Sequence, residues 1–341
     1  MYPPKKIIYI GNQLRKGDER TLTTIDTLSN HLRSEGFLVI SASAKKNKAA
    51  RLLDMLFTIF IHKKGTKAVL IDTYSTQNFW YAVAVGNLCR LLQLPYIPIL
   101  HGGNLPTRLK KSEWQAKKLF HGAKINVAPS YYLLEVFQRE GYQNTICIPN
   151  TIETKKYAFK HRASVLPKLL WVRSFAEIYN PLLALKIIDK IRELYPIAAL
   201  CMVGPDKDGS LERCKKYAKE KNLPVTFTGK LSKEAWTTLA KDYDIFINTT
   251  HFDNTPVSVI EAIALGLPVI STNVGGVSFL LENKKDALLV PDDDTEAFVE
   301  AIVHLCNTSS LTKVLVENAR RKAEGFDWEN VKHLWDALLK D

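Results

Sequence analysis

Two carboxylates in the stretch "DNTPVSVIEAIALGLPVIST" could do chemistry: Asp253 in a polar loop and Glu261, seven intervening residues later, inside an otherwise apolar run. Thr255 suits an N-cap, Pro256 the first helical position and Gly266 the residue past the end, which predicts a helix of about ten residues. That helix follows the strand candidate "DIFINT" and precedes "PVIST". Its amino terminus offers unpaired N–H groups and a partial positive charge, a seat for phosphate oxygens. Asp253, just before that end, could accept hydrogen bonds from sugar hydroxyls. Glu261, amid Val259, Ile260, Ala262 and Ile263, needs a partner if it is buried, and a ribose diol donating two hydrogen bonds would serve. The plain alternative is that Asp253 helps cap the helix and Glu261 sits on a wet face or pairs with a basic residue.

Fewer other residues invite chemistry. His101 ends a strand candidate in "LHGGNLP", a place where histidine is commonly structural, but Gly102 and Gly103 behind it would allow close backbone approach. The five cysteines, an odd count without C-x-x-C spacing, fit neither a disulfide framework nor a structural zinc site. The acidic runs Asp206–Asp208 and Asp292–Asp294 look like metal-binding motifs. The first reads as a turn after "MVGP", and in the second Asp293 with Glu296 has capping-box spacing before "TEAFVEAI".

The elements that must position these residues follow from the pattern of the chain. In the first half the strand candidates "KIIYIG", "FLVISAS", "AVLIDT", "YIPIL" and "INVAPS" alternate with helix candidates at Glu19 to Glu35, Ala49 to His62, Phe79 to Leu92 and Tyr131 to Glu140. In the second half "KLLWVRS", "AALCMVG", "VTFTG", "DIFINT", "PVIST" and "ALLVP" alternate with helices starting near Pro181, Ser210, Lys233, Pro256 and Thr295. Such alternation predicts α/β architecture: two doubly wound Rossmann-like domains with parallel sheets, ligand sites at the carboxyl ends of the strands, and a ligand-sized cleft between the domains. The expected limits are 1–160 for the first domain and 161–325 for the second. The tail 326–341 is expected as an amphipathic helix packed on a domain surface through Trp328, Val331, Leu334, Trp335 and Leu338.

With Asp253, seven residues, Glu261 and then "EAIALGLPVISTNVGG", the chain resembles glycosyltransferase family 4, the glycosyl transferases group 1: retaining transferases of the two-domain GT-B fold. "VAPS" at Val127, "IPNTIE" at Ile148, "KLLWVRSF" and "ALLVPDDDTEAFVEAI" extend the resemblance over about residues 5 to 335. It implies that Glu261 holds the ribose of a nucleotide-diphosphate sugar, that Asp253 contacts the donor sugar where the family has Glu, and that Arg173 neutralises the diphosphate. Main-chain groups of Asn254, Thr255, Pro256, Val257 and Ser258 would border phosphate or sugar. Gly11 and Asn12 would form the small-residue loop approaching the phosphates from the first domain, with His101 beside the donor sugar. The family's Lys shortly after the Arg is absent, leaving Tyr179, Asn180 and, after "FTG", Lys230 as substitute diphosphate contacts. The implied reaction retains anomeric configuration and needs no metal, no cofactor and no dedicated base, because a departing phosphate oxygen can take the acceptor proton. A glycan or lipid-linked glycan of a surface or exopolysaccharide would be the acceptor. The alternative is a catalytically silent GT-B binding or scaffold protein.

Charge adds a partner. Residues 1–165 hold 25 Lys and Arg against 10 Asp and Glu, a net +15, whereas residues 166–341 hold 22 against 25, a net −3. A basic half can meet nucleic acid, anionic lipid or an acidic substrate; no nucleic-acid-binding signature accompanies it, so no nucleic acid is expected. "KKNKAARLLDMLFTIFIHKKG", with its apolar centre between basic ends, could lie on an anionic membrane or equally cover a sheet. No apolar run approaches a membrane span and the amino terminus lacks the pattern of an export signal. The expectation is a cytoplasmic protein, peripheral on the inner leaflet.

Overall fold

A computed structural model describes residues 5–13, 23–162 and 164–340. The chain divides into two compact units: residues 1–149 with 332–341, and residues 150–331.

The first unit is a parallel sheet of six strands: β1 (Lys6–Ile10), β2 (Leu38–Ala42), β3 (Thr66–Tyr74), β4 (Tyr96–His101), β5 (Asn126–Ala128) and β6 (Thr145–Cys147), in the order β2-β1-β3-β4-β5-β6. The strands read as near-continuous apolar runs because both faces are covered. On one face Ile8, Ile10, Val69 and Ile71 pack with Met55 and Ile59 of the helix Lys48–His62, Phe79 and Ala82 of Phe79–Leu91, and Leu119 and Phe120 of Glu113–Phe120. The expected helix start at Glu19 lies outside the described residues; the helix is seen over Thr24–Ser34, where the Thr23 N–H donates to the Asp26 carboxylate. β6 was not expected. It is a three-residue strand at the sheet edge with Ile146 exposed, so it carries no apolar run.

The second unit repeats the scheme with β7 (Lys168–Val172), β8 (Ala199–Val203), β9 (Val225–Gly229), β10 (Ile245–Asn248), β11 (Val269–Thr272) and β12 (Leu288–Val290), ordered β12-β11-β10-β7-β8-β9, again all parallel. Successive residues point to opposite faces. Leu169, Trp171, Ile245 and Ile247 enter one core, while Leu170 and Phe246 enter the other with the helix Val257–Ala264. Ala319 and Ala323 of the helix Ser309–Glu324 join that second core. The last helix, Trp328–Lys340, buries Trp328, Val331, Trp335, Leu338 and Leu339; its residues from Lys332 belong to the first unit.

In each sheet the strand order reverses once, between β1 and β3 and between β7 and β10. Helices leave those neighbouring strands toward opposite faces, which opens a crevice at their carboxyl ends.

Candidate functional site

The β7/β10 reversal in the second unit gathers most of the chemistry. Arg173 follows the last residue of β7, its N–H donating to the Val203 carbonyl at 3.0 Å. Gly204 makes that approach possible, since a Cβ there would fall 1.7 Å from the Arg173 carbonyl oxygen. The largely buried guanidinium ion-pairs with Asp253 and lies over the Tyr179 ring at 4.5 Å from its centroid. Burial pulls its pKa below the usual range, while Tyr179 acts in the other direction. Its Nε is buried with no hydrogen-bond partner among the described residues.

Tyr179 stands close to where the resemblance places a Lys, and the fold holds its backbone. The Trp171 indole N–H donates to Thr249 Oγ1 at 3.0 Å, and the Thr249 hydroxyl donates toward the carbonyls of Tyr179 and Asn180 at 3.0 and 2.9 Å. Asn180 has a left-handed backbone, and its side chain donates to Asp293 at 2.9 Å, so that amide is engaged away from Arg173. Lys230 is exposed just past β9. A recess lined by Glu177, Asn180, Pro181, Arg213 and His251 borders this loop but contains neither Arg173 nor Glu261.

From β10 the chain runs through Asp253 to the helix Val257–Ala264. Asp253 Oδ1 accepts from the Asn254 N–H at 2.8 Å, and the Asp253 carbonyl accepts from the Gly276 N–H at 2.8 Å. Gly276 is required by space: a Cβ would fall 1.7 Å from the Asn254 carbonyl oxygen. The helix begins one residue later than the sequence suggested, because Pro256 rather than Thr255 is the N-cap. Pro256 has no N–H, so the free donors of the first turn are those of Val257 and Ser258. The Ser258 hydroxyl is also buried without a partner among the described residues.

Glu261, 5% exposed, has protein partners that the sequence did not identify. Its Oε1 accepts from the Tyr157 hydroxyl at 2.8 Å and from Lys233 Nζ at 2.6 Å. Among the described residues nothing donates to Oε2. Burial, reinforced by the adjacent Glu261 carboxylate, pushes the Tyr157 hydroxyl far above its usual range, which keeps it a donor. Tyr157 belongs to the polar, basic stretch "NTIETKKYAFKHR". That stretch straps the helix: the Lys160 N–H donates to the Leu265 carbonyl at 3.2 Å, and buried Arg162 donates to the Leu265 and Gly266 carbonyls at 3.0 and 2.8 Å. A cation at a helix carboxyl end is favourable twice over, by hydrogen bonding and by the dipole.

The first unit gathers a second cluster at its own reversal. Gly11 and Asn12 follow β1, and Asn12 Oδ1 accepts from buried Arg51 at 3.2 Å. His101 ends β4; its Nε2 lies 2.8 Å from Asp72 Oδ1 and its ring stacks on Tyr74 with centroids 5.0 Å apart. Asp72, near the end of β3, also accepts from the Tyr9 hydroxyl at 2.8 Å. Burial and then the Asp72 charge raise the Tyr9 pKa, so this hydroxyl too remains a donor. Gly11 leaves room for the carboxylate: a Cβ there would fall 2.3 Å from Asp72 Oδ2. Gly102 has a positive φ of 89°, which favours glycine, and among the described residues nothing lies within 4 Å of its Cβ position.

The acidic runs are occupied by the fold. Asp206 accepts from the Gly209 N–H and Asp208 from the Glu177 and Ser210 N–H groups. In the second run the cap of the helix Thr295–Asn307 is Asp294, which accepts from the Ala297 N–H at 2.9 Å, and not Asp293, whose φ of 56° turns it toward Asn180. Among the described residues no group of three or more His, Cys, Asp or Glu is placed to hold a metal ion.

Residues 166–308 match the family Glycosyl transferases group 1. A curated relative, UDP-Gal:alpha-D-GlcNAc-diphosphoundecaprenol alpha-1,3-galactosyltransferase from Escherichia coli, is 25% identical over 198 residues, covering 53% of this chain and 50% of that protein. The first three curated relatives are matched over 22% to 50% of their own lengths, so the chain spans half or less of them. Among solved structures, Anabaena HepE in complex with UDP-glucose superposes with a TM-score of 0.78 at 14% identity, covering 98% of this chain and 99% of that one. The lipopolysaccharide outer core galactosyltransferase WaaB in its apo form superposes at 0.70 with 15% identity, covering 98% and 99%. Both likenesses establish the GT-B-like fold. The chain thus joins a GT-B-like fold to a match with the glycosyl transferases group 1 family over residues 166–308 of its second unit.

Proposed function

We propose that the protein is a retaining glycosyltransferase that moves a sugar from a nucleoside-diphosphate sugar to a glycan or lipid-linked glycan in surface or exopolysaccharide biosynthesis. The observation that carries this reading is the convergence at the β7/β10 reversal. A largely buried guanidinium whose Nε has no partner among the described residues follows β7, and the helix Val257–Ala264 that follows β10 brings its first turn and the clamped carboxylate of Glu261. The relative from Escherichia coli is named for a UDP-sugar donor and a diphosphoundecaprenol acceptor, and HepE holds UDP-glucose. Both support a uridine nucleotide as the first donor to try.

In this reading Glu261 Oε2 accepts from a ribose hydroxyl while Tyr157 and Lys233 hold Oε1. Arg173 Nε and the Val257 and Ser258 N–H groups donate to the diphosphate, where negative charge grows as the bond from the anomeric carbon to the diphosphate oxygen breaks. The acceptor hydroxyl bonds to that carbon on the face the diphosphate leaves and passes its proton to the departing phosphate oxygen, so no side chain acts as base. Asp253 binds the donor sugar, and its ion pair with Arg173 orders both groups. Tyr179, stacked under the guanidinium, replaces a second cation with a π face. Gly11 and Asn12 approach the phosphates and His101 the sugar. Neither a metal nor a further cofactor is required. The protein acts in the cytoplasm at the inner leaflet, its basic first unit against anionic lipid.

A screen of labelled UDP- and GDP-sugars with purified protein tests the reading: turnover or donor hydrolysis is expected, and Arg173→Ala and Glu261→Ala each abolish it while leaving the fold intact. Wild-type activity in either variant sinks the assignment. The substitution of a cation by Tyr179 favours a second reading, a silent donor-binding protein, which predicts UDP binding without turnover of any donor.

A further inference from the structure

The helix Lys48–His62 is apolar on two sides. Met55 and Ile59 face the core of the first unit. Leu53, Phe57, Phe60 and Ile61 are 67%, 64%, 55% and 53% exposed. Their spacing of i, i+4, i+7 and i+8 forms one outward stripe. A helix that only covers a sheet has no use for that second stripe, which favours polar residues.

The charges around the stripe identify what covers it. Between Lys45 and Lys67 the sequence holds seven Lys and Arg and one acid, Asp54. Arg51 is buried, where it donates to the carbonyls of Lys45 and Lys46 and so fixes the turn entering the helix. The six lysines, Lys45, Lys46, Lys48, Lys63, Lys64 and Lys67, are all exposed, two before the helix, one as its first residue and three after it. The Lys63 Nζ lies over the Phe60 ring, 4.4 Å from its centroid. The pattern repeats on the helix Glu113–Phe120, which covers the same face of the sheet: Trp114 is 68% exposed with Lys118 over its ring. Fifteen residues give a rod of about 22 Å, too short to span a bilayer but long enough to lie in its surface. A second copy of the chain is a poor occupant, because an isologous contact would bring like-charged lysines together.

We propose that the helix Lys48–His62 is an interfacial anchor for anionic lipid bilayers. Leu53, Phe57, Phe60 and Ile61 enter the acyl region, and the lysines at both ends lie among the headgroups. This deepens the membrane part of the reading above and is independent of the transfer chemistry, because lipid binding is read without donor or acceptor.

Flotation of the full chain with phosphatidylcholine vesicles, with and without phosphatidylglycerol, tests it. Binding is expected with the anionic vesicles and should weaken as salt is raised. Phe57→Ser with Phe60→Ser should lower partitioning at least about tenfold, and Lys63→Glu with Lys64→Glu should lower it by about fivefold or more per charge while flattening the salt response. Circular dichroism and melting temperature confirm that the variants are folded; since these side chains lie outside the core, little change is expected. Absence of wild-type binding to anionic vesicles overturns the proposal, as does binding by the Phe pair variant equal to wild type. It is equally overturned if the Phe pair variant abolishes a concentration-dependent dimer in sedimentation and leaves vesicle binding intact.

Discussion

Tyr157→Phe removes one oxygen from the second unit and is the sharpest probe of how Glu261 is prepared. In the native chain Oε1 receives two donors, Tyr157 at 2.8 Å and Lys233 at 2.6 Å, which leaves Oε2 for a ligand. The donors differ in weight. Tyr157 is 4% exposed and rigid in the core, whereas the Lys233 side chain is 54% exposed. A hydrogen bond from a buried neutral donor to a charged acceptor contributes roughly 1.5–3 kcal/mol. An ion pair with one end in solvent contributes roughly 0–1 kcal/mol. Tyr157→Phe should therefore lower unfolding free energy by about 1.5–3 kcal/mol in urea, and Lys233→Met by less than about 1 kcal/mol. Ligand binding should follow the same order. A carboxylate that has lost its fixed donor turns Oε1 toward the ribose in competition with Oε2, and a deficit near 1.4 kcal/mol raises the Kd for UDP about tenfold. Calorimetric titration with UDP reads this directly, and where turnover is present KM should rise with kcat little changed. Two results refute the reasoning: Lys233→Met more damaging than Tyr157→Phe, or Tyr157→Phe destabilised as expected but binding UDP like wild type. The second would make Tyr157 a core residue with no part in positioning Glu261.

Two further outcomes are expected. Gly276→Ala puts a methyl against the Asn254 carbonyl; overpacking of this kind costs about 1–3 kcal/mol, and it should weaken UDP binding because it shifts the loop carrying Asp253, whereas wild-type UDP affinity would show that this loop makes no donor contact. Asp327 accepts from the Thr154 N–H and hydroxyl; burial alone would raise its pKa, but these bonds and the Glu329 N–H hold it below the usual carboxylate range. Its stabilisation is thus complete above the unfolded pKa near 3.9 and is lost as pH falls through the lower folded value. Asp327→Ala should cost about 1–2 kcal/mol at pH 7 and little at pH 2, in urea melts at both; an equal cost at both pH values would contradict that sign.

Much of this arrangement is legible in the sequence, and the misses have physical causes. All strands of the second unit stand out because a sheet covered on both faces needs apolar runs, and Glu261 stands out because it interrupts one. The same test applies to Asp72, set in "AVLIDTY", yet no motif drew attention to it; its partners Tyr9 and His101 lie 63 and 29 residues away in sequence. The helix Ser309–Glu324 was missed because it buries Thr312, Ala319 and Ala323 beside Leu315 and Val316: small and polar residues that blur its period. Tyr157 and Arg162 gave no signal in the sequence because a strap has no periodicity of its own. It borrows order from the helix it crosses, and only the 104-residue step from Tyr157 to Glu261 reveals it.

The two clusters share one cause. A chain that alternates strand and helix must reverse its winding once to cover both faces of a sheet, and at that reversal two strand ends carry loops that diverge and leave a crevice. In the first unit these ends are those of β1 and β3, where Gly11 meets Asp72; in the second they are β7 and β10, where Arg173 meets Asp253. Each meeting sets a charge where backbone cannot fill the space, and glycines finish the fit: Gly11 over Asp72, Gly204 against Arg173, Gly276 against Asn254. The crevice and its charges therefore follow from the winding of each sheet, while the choice of ligand is left to a few side chains. Tyr179 beneath Arg173, and Asp253 one methylene shorter than Glu, are where this chain departs from the pattern it resembles, so these two positions should set which donor it accepts. Tyr179→Lys restores the missing cation: if it raises UDP affinity without turnover, Tyr179 sets donor strength alone; if affinity is unchanged, the aromatic face already does the work of the absent charge.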